Sequence, residues 1–149
     1  MFEQKKESRT VLYLLDNPNS ITPTQLKGFF VGWPNPPSAE THLRILQGSY
    51  AVVLALDATT QQVVGFITAI SDGVLSAYIP LLEVLPTYQG QGVGNLLMTR
   101  ILTRLAHLYA VDLLCDAELQ SYYARFNMQP AVGMMARNYA RQSGFRLAE

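Results

Sequence analysis

One short glycine-rich segment has the residue types and the spacing to bind a phosphate group. It comprises Gln89, Gly90, Gln91, Gly92, Val93, Gly94 and Asn95, and it lies between a β-rich stretch that ends at Pro86 and a long helical pattern. Glycines at alternate positions let the backbone turn sharply because no Cβ stands in the way. At the helix start, unpaired N–H groups and the helix dipole both favour an anion. The segment therefore predicts a phosphate-binding turn that needs no lysine or arginine.

Two other interpretations of this turn compete with phosphate binding. A glycine-rich turn can simply begin a helix. A dinucleotide-binding turn would need the pattern Gly-x-Gly-x-x-Gly, and counting from Gly90 places Asn95 at the third glycine. Such a turn would also lie in an early βαβ unit, whereas four predicted strands come before this one. The dinucleotide-binding interpretation therefore fails on both counts.

The elements that must hold the turn form an α/β pattern. Apolar and β-branched runs bounded by turn residues predict strands, and apolar residues every three or four positions after the turn predict its helix. Strands are expected at residues 11–15, 50–56, 62–70, 74–84 and 111–115 and within 128–138, and helices at residues 22–30, 39–46, 93–108 and 117–126. Pro80 cannot donate a ladder hydrogen bond, so we expect a bulge or an edge there. The order predicts a mixed sheet with helices packed on it.

The turn and its flanks resemble motif A of GNAT-type N-acetyltransferases, which is Gln/Arg-x-x-Gly-x-Gly/Ala after a strand and a proline. Gln89, Gly92 and Gly94 occupy the three defined positions. The resemblance extends over roughly residues 50–138, and the order of elements before Tyr50 fits as well. It implies one GNAT N-acetyltransferase domain over residues 1–149, with an α/β (α+β) fold, splayed middle strands and about four helices. It also implies that acetyl-CoA is the acyl donor and that no metal is required.

The resemblance further implies where the rest of CoA would bind. In the family, the strand that ends here at Val84 and the strand that starts at Val111 separate and admit the pantetheine arm. The residues implied as contacts, besides those of the turn, are Leu82, Val84 and Asp116, the last of which also stands where it can cap the following helix.

A tyrosine is the family's second landmark, in the pattern Tyr-x-x-x-Gly-Phe. Tyr123 matches it, whereas Asn127 and Met128 stand at the glycine and phenylalanine positions. Asparagine is the best non-glycine residue where φ is positive. The resemblance implies that Tyr123 protonates the departing CoA thiolate, which a phenol of pKa about 10 can do while staying protonated at neutral pH. The alternative is that Tyr123, like its neighbour Tyr122, belongs to the apolar stripe of its helix.

The general base is less clearly indicated. Glu83 lies beside Val84 at the expected reaction centre, and Tyr78 and Asp72 lie on or before the same strand. Any of the three could relay a proton through water, and an acidic residue there could equally be solvated surface. Neither histidine has acidic or cysteine neighbours at ligand spacing, which argues against a metal site.

An aromatic segment precedes the second helix and is the candidate wall of an acceptor site. Residues 29–37 hold the only tryptophan, Trp33, next to Phe30 and stiffened by prolines. In the family, this region usually borders the acceptor, so Phe30, Trp33 and Tyr78 are candidate substrate-binding residues. A plain packing role for Trp33 stays open.

Composition narrows the function classes. Eleven basic residues balance eleven acidic ones among 149 residues, and they are scattered, so neither nucleic acid nor an anionic membrane is indicated as a partner. The single cysteine, Cys115, is expected to be a small buried apolar residue. A cytoplasmic acetyltransferase for a small-molecule or peptide amine is the favoured interpretation, with a homodimer compatible. The alternatives are a catalytically silent CoA-binding module for sensing or assembly and a plain structural domain.

Overall fold

The computed structural model of the chain describes residues 10–144. Its strands are β1 (Leu12–Leu15), β2 (Ala51–Asp57), β3 (Val63–Ser71), β4 (Ser76–Val84) and β5 (Ala110–Asp112). Its helices are α1 (Ala39–Gly48), α2 (Val93–Arg104) and α3 (Gln120–Ala124), and short 3-10 turns precede α1, α2 and α3 and follow α3. The strands lie in the order β1-β2-β3-β4-β5, antiparallel except for the parallel pair β4–β5. The predicted mixed sheet is therefore confirmed.

Helices cover both faces of the sheet, and each face has its own buried cluster. On one face, α2 contributes the predicted stripe of Val93, Leu97 and Ile101, which packs on β2 and β3. The other face buries Phe66 of β3 and Leu46 of α1, together with residues of the loop that follows β1. Ser38 caps the start of α1, since its Oγ accepts the N–H of Thr41 at 3.1 Å.

A bulge interrupts β4 at the predicted position. Thr68 pairs with Leu81 and Ile70 pairs with Tyr78, so one residue of β3 faces two of β4, the second being Pro80. Because side chains alternate along a strand, the extra residue reverses the alternation. Leu82 consequently shares the α2 side of the sheet with Ile79, while Leu81 turns to the opposite side. The bulge thus decides which face each residue of the following segment presents.

The helix expected at residues 22–30 does not form. Only a 3-10 turn at Pro23–Gln25 is present, and the backbone then takes positive φ at Gly28 (92°) and Phe30 (61°). These angles are incompatible with a continuing right-handed helix. Phe29 and Phe30 are nevertheless buried, because the irregular loop folds over the α1 side of the sheet.

The C-terminal part also departs from the prediction. The helix expected at residues 117–126 is a 3-10 turn at Ala117–Leu119 followed by α3, and the side chain of Asp116 makes no capping hydrogen bond. Asn127 does take the left-handed conformation, with φ of 61°. No strand forms within residues 128–138, which include Pro130 and Gly133 and whose last eight residues are all exposed. The prediction of strands there was wrong, since proline and glycine weaken a ladder and β5 pairs over three residues only.

The buried side chain of His42 introduces a pH dependence. The residue is 1% exposed, and its ring lies among Phe29, Phe30 and Phe66, with centroids 5.3, 4.9 and 4.4 Å away. Neither ring nitrogen has a hydrogen-bond partner. Burial lowers the pKa of His42 to about 4, because the apolar surroundings oppose the charged form.

We therefore expect the domain to lose stability as the pH falls from about 6.5 toward 4. Above that window His42 is neutral in both the folded and the unfolded state. Within it, His42 binds a proton in the unfolded chain but stays neutral in the folded protein. The loss should reach about 2 kcal/mol at pH 5. Urea unfolding at pH 7.5 and pH 5 measures it, and His42→Leu should flatten the difference whereas the exposed control His107→Gln should not. Equal pH slopes for His42→Leu and the unsubstituted protein would contradict the assignment.

Candidate functional site

The glycine-rich turn has the backbone geometry that the sequence indicates. Gly90 and Gly92 have φ of 75° and 82°, and Gly92 is the N-cap residue directly before α2. No side chain caps this helix start, and the first helical hydrogen bond joins the Leu96 N–H to the Gly92 carbonyl at 3.1 Å. The N–H groups of the first turn of α2 are thus the kind of donors that hold a phosphate.

Side-chain hydrogen bonds fix the turn to the sheet. The Tyr88 hydroxyl donates to Asp57 Oδ2 at 2.8 Å, and Gln89 Nε2 donates to the Val84 carbonyl at 3.0 Å. The Tyr88 hydrogen bond is also the largest reason why the pKa of Asp57 lies below its ordinary value. The turn is thereby attached both to the end of β2 and to the end of β4, so its N–H groups are held in place before any ligand arrives.

Gly94 serves a different purpose from the other two glycines. Its φ is not positive, and a Cβ at this position would lie 2.8 Å from the hydroxyl oxygen of Tyr122. The glycine therefore lets α3 pack against the start of α2. The Tyr122 hydroxyl is buried there without a partner, and burial raises its pKa. This packing supports the interpretation of Tyr122 as a structural residue.

Arg125 is a residue of this site that the sequence reasoning missed. Its Nη2 donates to Asn95 Oδ1 at 3.1 Å, and its guanidinium carbon lies 4.6 Å from the centroid of the Tyr122 ring. It borders a cavity of about 550 Å³ together with the glycine-rich turn. Its spacing of three from Tyr122 on a helical pattern could have indicated the contact. The turn therefore has a cation beside its backbone donors.

The middle strands separate as the resemblance implies. The parallel pairing of β4 and β5 ends at Tyr78 and Asp112, although β4 continues to Val84. Beyond that point, Leu82–Val84 and residues 113–116 form opposite walls of a cleft of about 660 Å³. Within the described part of the chain, no strand pairs with this edge of β4 after Tyr78. The expected splay is confirmed, and the cleft reaches the glycine-rich turn through Gln89.

Tyr123 lies where the cleft meets the cavity at the turn. Its side chain borders both, as do Leu82, Val84 and Leu119, while Asp116 borders the cleft alone. Burial, and to a smaller degree the neighbouring Tyr122 and Cys115, raises the pKa of Tyr123 above its ordinary value. The phenol is thus protonated at neutral pH and can donate a proton into the cleft.

Cys115 is not the buried residue that the sequence predicts. It is half-buried and lines the cleft, because β5 ends at Asp112 and the chain has left the sheet by this position.

We expect Cys115→Ala to keep turnover close to that of the unsubstituted protein, since the acyl transfer that the resemblance implies assigns no role to the thiol. A maleimide should inhibit the unsubstituted protein by obstructing the cleft, bound CoA should slow that inhibition, and Cys115→Ala should resist it. Thiol-release assays before and after maleimide treatment measure this. A stable but inactive Cys115→Ala variant would instead indicate a covalent role for the thiol.

Of the three candidate bases, only Glu83 borders the cleft. Its Oε1 accepts the N–H of Phe30 at 2.8 Å, and its Oε2 accepts the N–H of Val31 at 3.3 Å. Asp72 instead accepts N–H groups of its own turn, those of Val74 and Leu75 each at 2.8 Å. Glu83 therefore stays the candidate general base and also binds the backbone of the aromatic loop. The Asp72 carboxylate instead accepts hydrogen bonds within the β3–β4 turn.

The three candidate acceptor residues do not lie together. Phe30 and Trp33 border the cleft, with ring centroids 5.0 Å apart. Tyr78 instead borders a neighbouring cavity of about 1040 Å³ between β5 and residues 127–137. It pairs with Asp112 at the end of β5 and does not border the cleft, so the structure does not bring it to the acceptor wall.

Two absences apply to residues 10–144. They contain no group of three or more His, Cys, Asp or Glu side chains arranged to hold a metal ion. They also contain no helix with the length and hydropathy needed to cross a membrane.

Comparisons with known proteins agree with this geometry. A family model described as the acetyltransferase (GNAT) domain matches residues 19–127. A solved structure classed as an acetyltransferase, from Deinococcus radiodurans R1, is 44% identical with a TM-score of 0.87, covering 91% of this chain and 94% of that one. A GNAT-family acetyltransferase from Streptococcus pneumoniae TIGR4 is 27% identical with a TM-score of 0.70, covering 86% and 98%.

A more distant similarity concerns the fold alone. An aminoglycoside acetyltransferase from an uncultured soil metagenomic sample, solved in complex with sisomicin, is 22% identical with a TM-score of 0.57. The match covers 85% of this chain and 95% of that one.

Proposed function

Because the chain belongs to the GNAT family of N-acetyltransferases, we propose that it transfers an acetyl group from acetyl-CoA to a primary amine of a small molecule or peptide. The observation that carries this proposal is the continuity of the site. The glycine-rich turn, the gap between β4 and residues 113–116, and the aromatic loop border connected cavities that share Tyr123.

The residues of the turn fit the phosphates of the donor. The N–H groups after Gly92 face a cavity that Arg125 also borders, so backbone donors and one cation can hold a pyrophosphate together. From there, the cleft along Leu82 and Val84 has the extended shape that the pantetheine arm needs. Asp116 borders the opposite wall.

The cleft also brings together groups suited to acyl transfer. A neutral amine attacks the thioester carbon, and the leaving thiolate takes up a proton. Tyr123 borders the cleft with its pKa raised by burial, so it holds that proton at neutral pH. Glu83 borders the same cleft and can receive the proton that the amine loses, directly or through water.

The acceptor side of the cleft does not resemble a site for a polycation. Its charged lining residues are Glu83, Asp116 and Arg137, so only two acidic side chains border the cleft and one cation there repels a polycation. An aminoglycoside, the acceptor class of the distant structural neighbour, would need several acidic partners. We therefore favour an amine with few charges.

The proposed function is tested by thiol release from acetyl-CoA against a panel of amines, compared with CoA binding measured by calorimetry. Turnover of at least one amine, with formation of its N-acetyl product by mass spectrometry, is the expected result. CoA binding with no turnover across a broad panel would indicate a silent CoA-binding module instead. Absence of CoA binding would leave a plain structural domain.

A further inference from the structure

We infer that the acceptor is a small amine whose body is aromatic and which carries a carboxylate beside the amine. This inference rests on the proposed function and specifies its substrate class. Three features of the cleft support it: an aromatic wall, a carboxylate that fixes that wall, and a single arginine among the lining residues.

The wall consists of Phe30, Trp33 and Phe66. Phe30 and Phe66 are 4% and 0% exposed and their centroids lie 6.1 Å apart, so the base of the wall is fixed by packing. Trp33 is 39% exposed, leans on Phe30 at an interplanar angle of 60°, and borders the cleft. Rings in tilted and edge-on arrangements at such distances accommodate a further aromatic ring well.

The conformation of the wall is held in place by Glu83. Phe30 has φ of 61°, which is unusual and strained for a bulky residue. The Glu83 carboxylate accepts the N–H groups of Phe30 and Val31 and so stabilises this strained turn. Because a carboxylate has further lone pairs, Glu83 can still attract an ammonium group. The amine is thereby drawn to the base of the aromatic wall, close to the end of β4.

A positive charge borders the same cleft as these groups. Arg137 borders the cleft, and it is the one cation among the lining residues, all of which fall within residues 10–144. One of its five N–H donors reaches the Ala136 carbonyl at 3.1 Å. The remaining N–H groups can donate to a carboxylate. Such hydrogen bonds are short and strong because both partners are charged. Met135 borders the same part of the cleft and adds apolar surface beside the arginine.

The arrangement of charges distinguishes acceptor classes. An amine next to a carboxylate complements Glu83 and Arg137 at once, and its aromatic body covers Trp33 and Phe30. A polyamine would complement Glu83 but would leave Arg137 facing a like charge. An amine without a ring would leave the exposed part of Trp33 in contact with water. The combination therefore favours an aromatic amino acid or a close analogue.

Trp33 allows binding to be measured apart from turnover, because it is the only tryptophan of the chain. The probes are phenylalanine, phenylalaninamide, alanine and spermidine. Each is titrated in the presence of CoA, with Trp33 fluorescence excited at a wavelength that phenylalanine does not absorb. The same probes are then tested with acetyl-CoA for thiol release. Phenylalanine is expected to change the fluorescence and to be the best substrate, alanine and spermidine the weakest.

Two arginine variants test the carboxylate contact. Arg137→Gln should raise the KM for phenylalanine about 10-fold or more, which is the usual loss when a charged hydrogen bond is removed. It should leave the KM for phenylalaninamide unchanged. Because the KM of each probe is compared between the variant and the unsubstituted protein, the different basicities of the two amines do not affect the result. Arg44→Gln is the matched control, because Arg44 is exposed on α1 and does not border the cleft.

The outcomes separate this inference from the proposed function. Turnover of spermidine or alanine, with neither turnover nor fluorescence change for phenylalanine, would overturn the inference while leaving acetyl transfer intact. An equal effect of Arg137→Gln on phenylalanine and its amide would overturn the carboxylate contact. A fluorescence change with phenylalanine but no turnover of any amine would support the chemistry of the cleft while contradicting the proposed function.

Discussion

Gly92→Val should abolish CoA binding while the domain remains folded. Gly92 has φ of 82° directly before α2, a conformation that a β-branched residue adopts only with strain. The chain can relieve that strain only by changing the backbone whose N–H groups face the phosphate cavity. Calorimetric titration with CoA, alongside circular dichroism and a thermal melt, measures both consequences.

Two variants separate the loss of the site from the loss of stability. Gly32 has φ of 80° and, like Gly92, has no neighbouring atom within 4 Å of the position that a Cβ would take, so Gly32→Val introduces the same strain outside the turn. It should lower stability to a similar degree and leave CoA affinity unchanged. Gly92→Asn, which tolerates positive φ, should retain most of the affinity. A folded Gly92→Val protein with normal CoA affinity would show that the phosphate site lies elsewhere.

Gly94 needs a different interpretation from the one its sequence pattern suggests. The pattern treats Gly92 and Gly94 alike, as residues that clear space for a phosphate. In the structure, the space beside Gly94 belongs to the Tyr122 hydroxyl, so a side chain there would displace α3. Its substitution therefore disturbs the position of the neighbouring Tyr123 as well as the turn, and Gly92 is the cleaner test.

The sequence predicted the parts of the fold that depend on local signals. The α2 stripe, the strands β2 and β3 and the bulge at Pro80 each follow from residue types at short spacing. These same elements position the glycine-rich turn and the start of the cleft. For that reason the donor side of the site was predictable from the sequence alone.

The acceptor side was less predictable because it depends on contacts between distant segments. Glu83 holds Phe30 across 53 positions of sequence, and Arg137 reaches the cleft from a C-terminal segment in which strands were wrongly expected. In the irregular loop at residues 26–33, the buried residues Leu26, Phe29 and Phe30 recur at the helical spacing of three and four, so their pattern misled the prediction of a helix. Tertiary packing overrides local propensity at such positions.

Tyr123→Phe should lower turnover by roughly 10²–10⁴-fold, the span that general acid–base groups contribute. The substitution removes one hydroxyl and keeps the ring, which packs in the α2-side cluster, so the fold and the CoA affinity should change little. Single-turnover measurement of thiol release isolates the chemical step from product release. Tyr123 borders both the cleft and the cavity at the turn, which is the position that an acid for the thiolate requires.

Tyr122→Phe is the matched control and should leave turnover nearly unchanged. The Tyr122 hydroxyl is buried without a partner against Gly94, so its removal deletes a polar group that gains nothing from the fold. The domain should even become slightly more stable, because an unpaired buried hydroxyl is unfavourable. If Tyr122→Phe slowed the reaction and Tyr123→Phe did not, the acid would be one position earlier in the chain. If neither variant slowed thiol release, the attacking amine or a water molecule would have to protonate the thiolate.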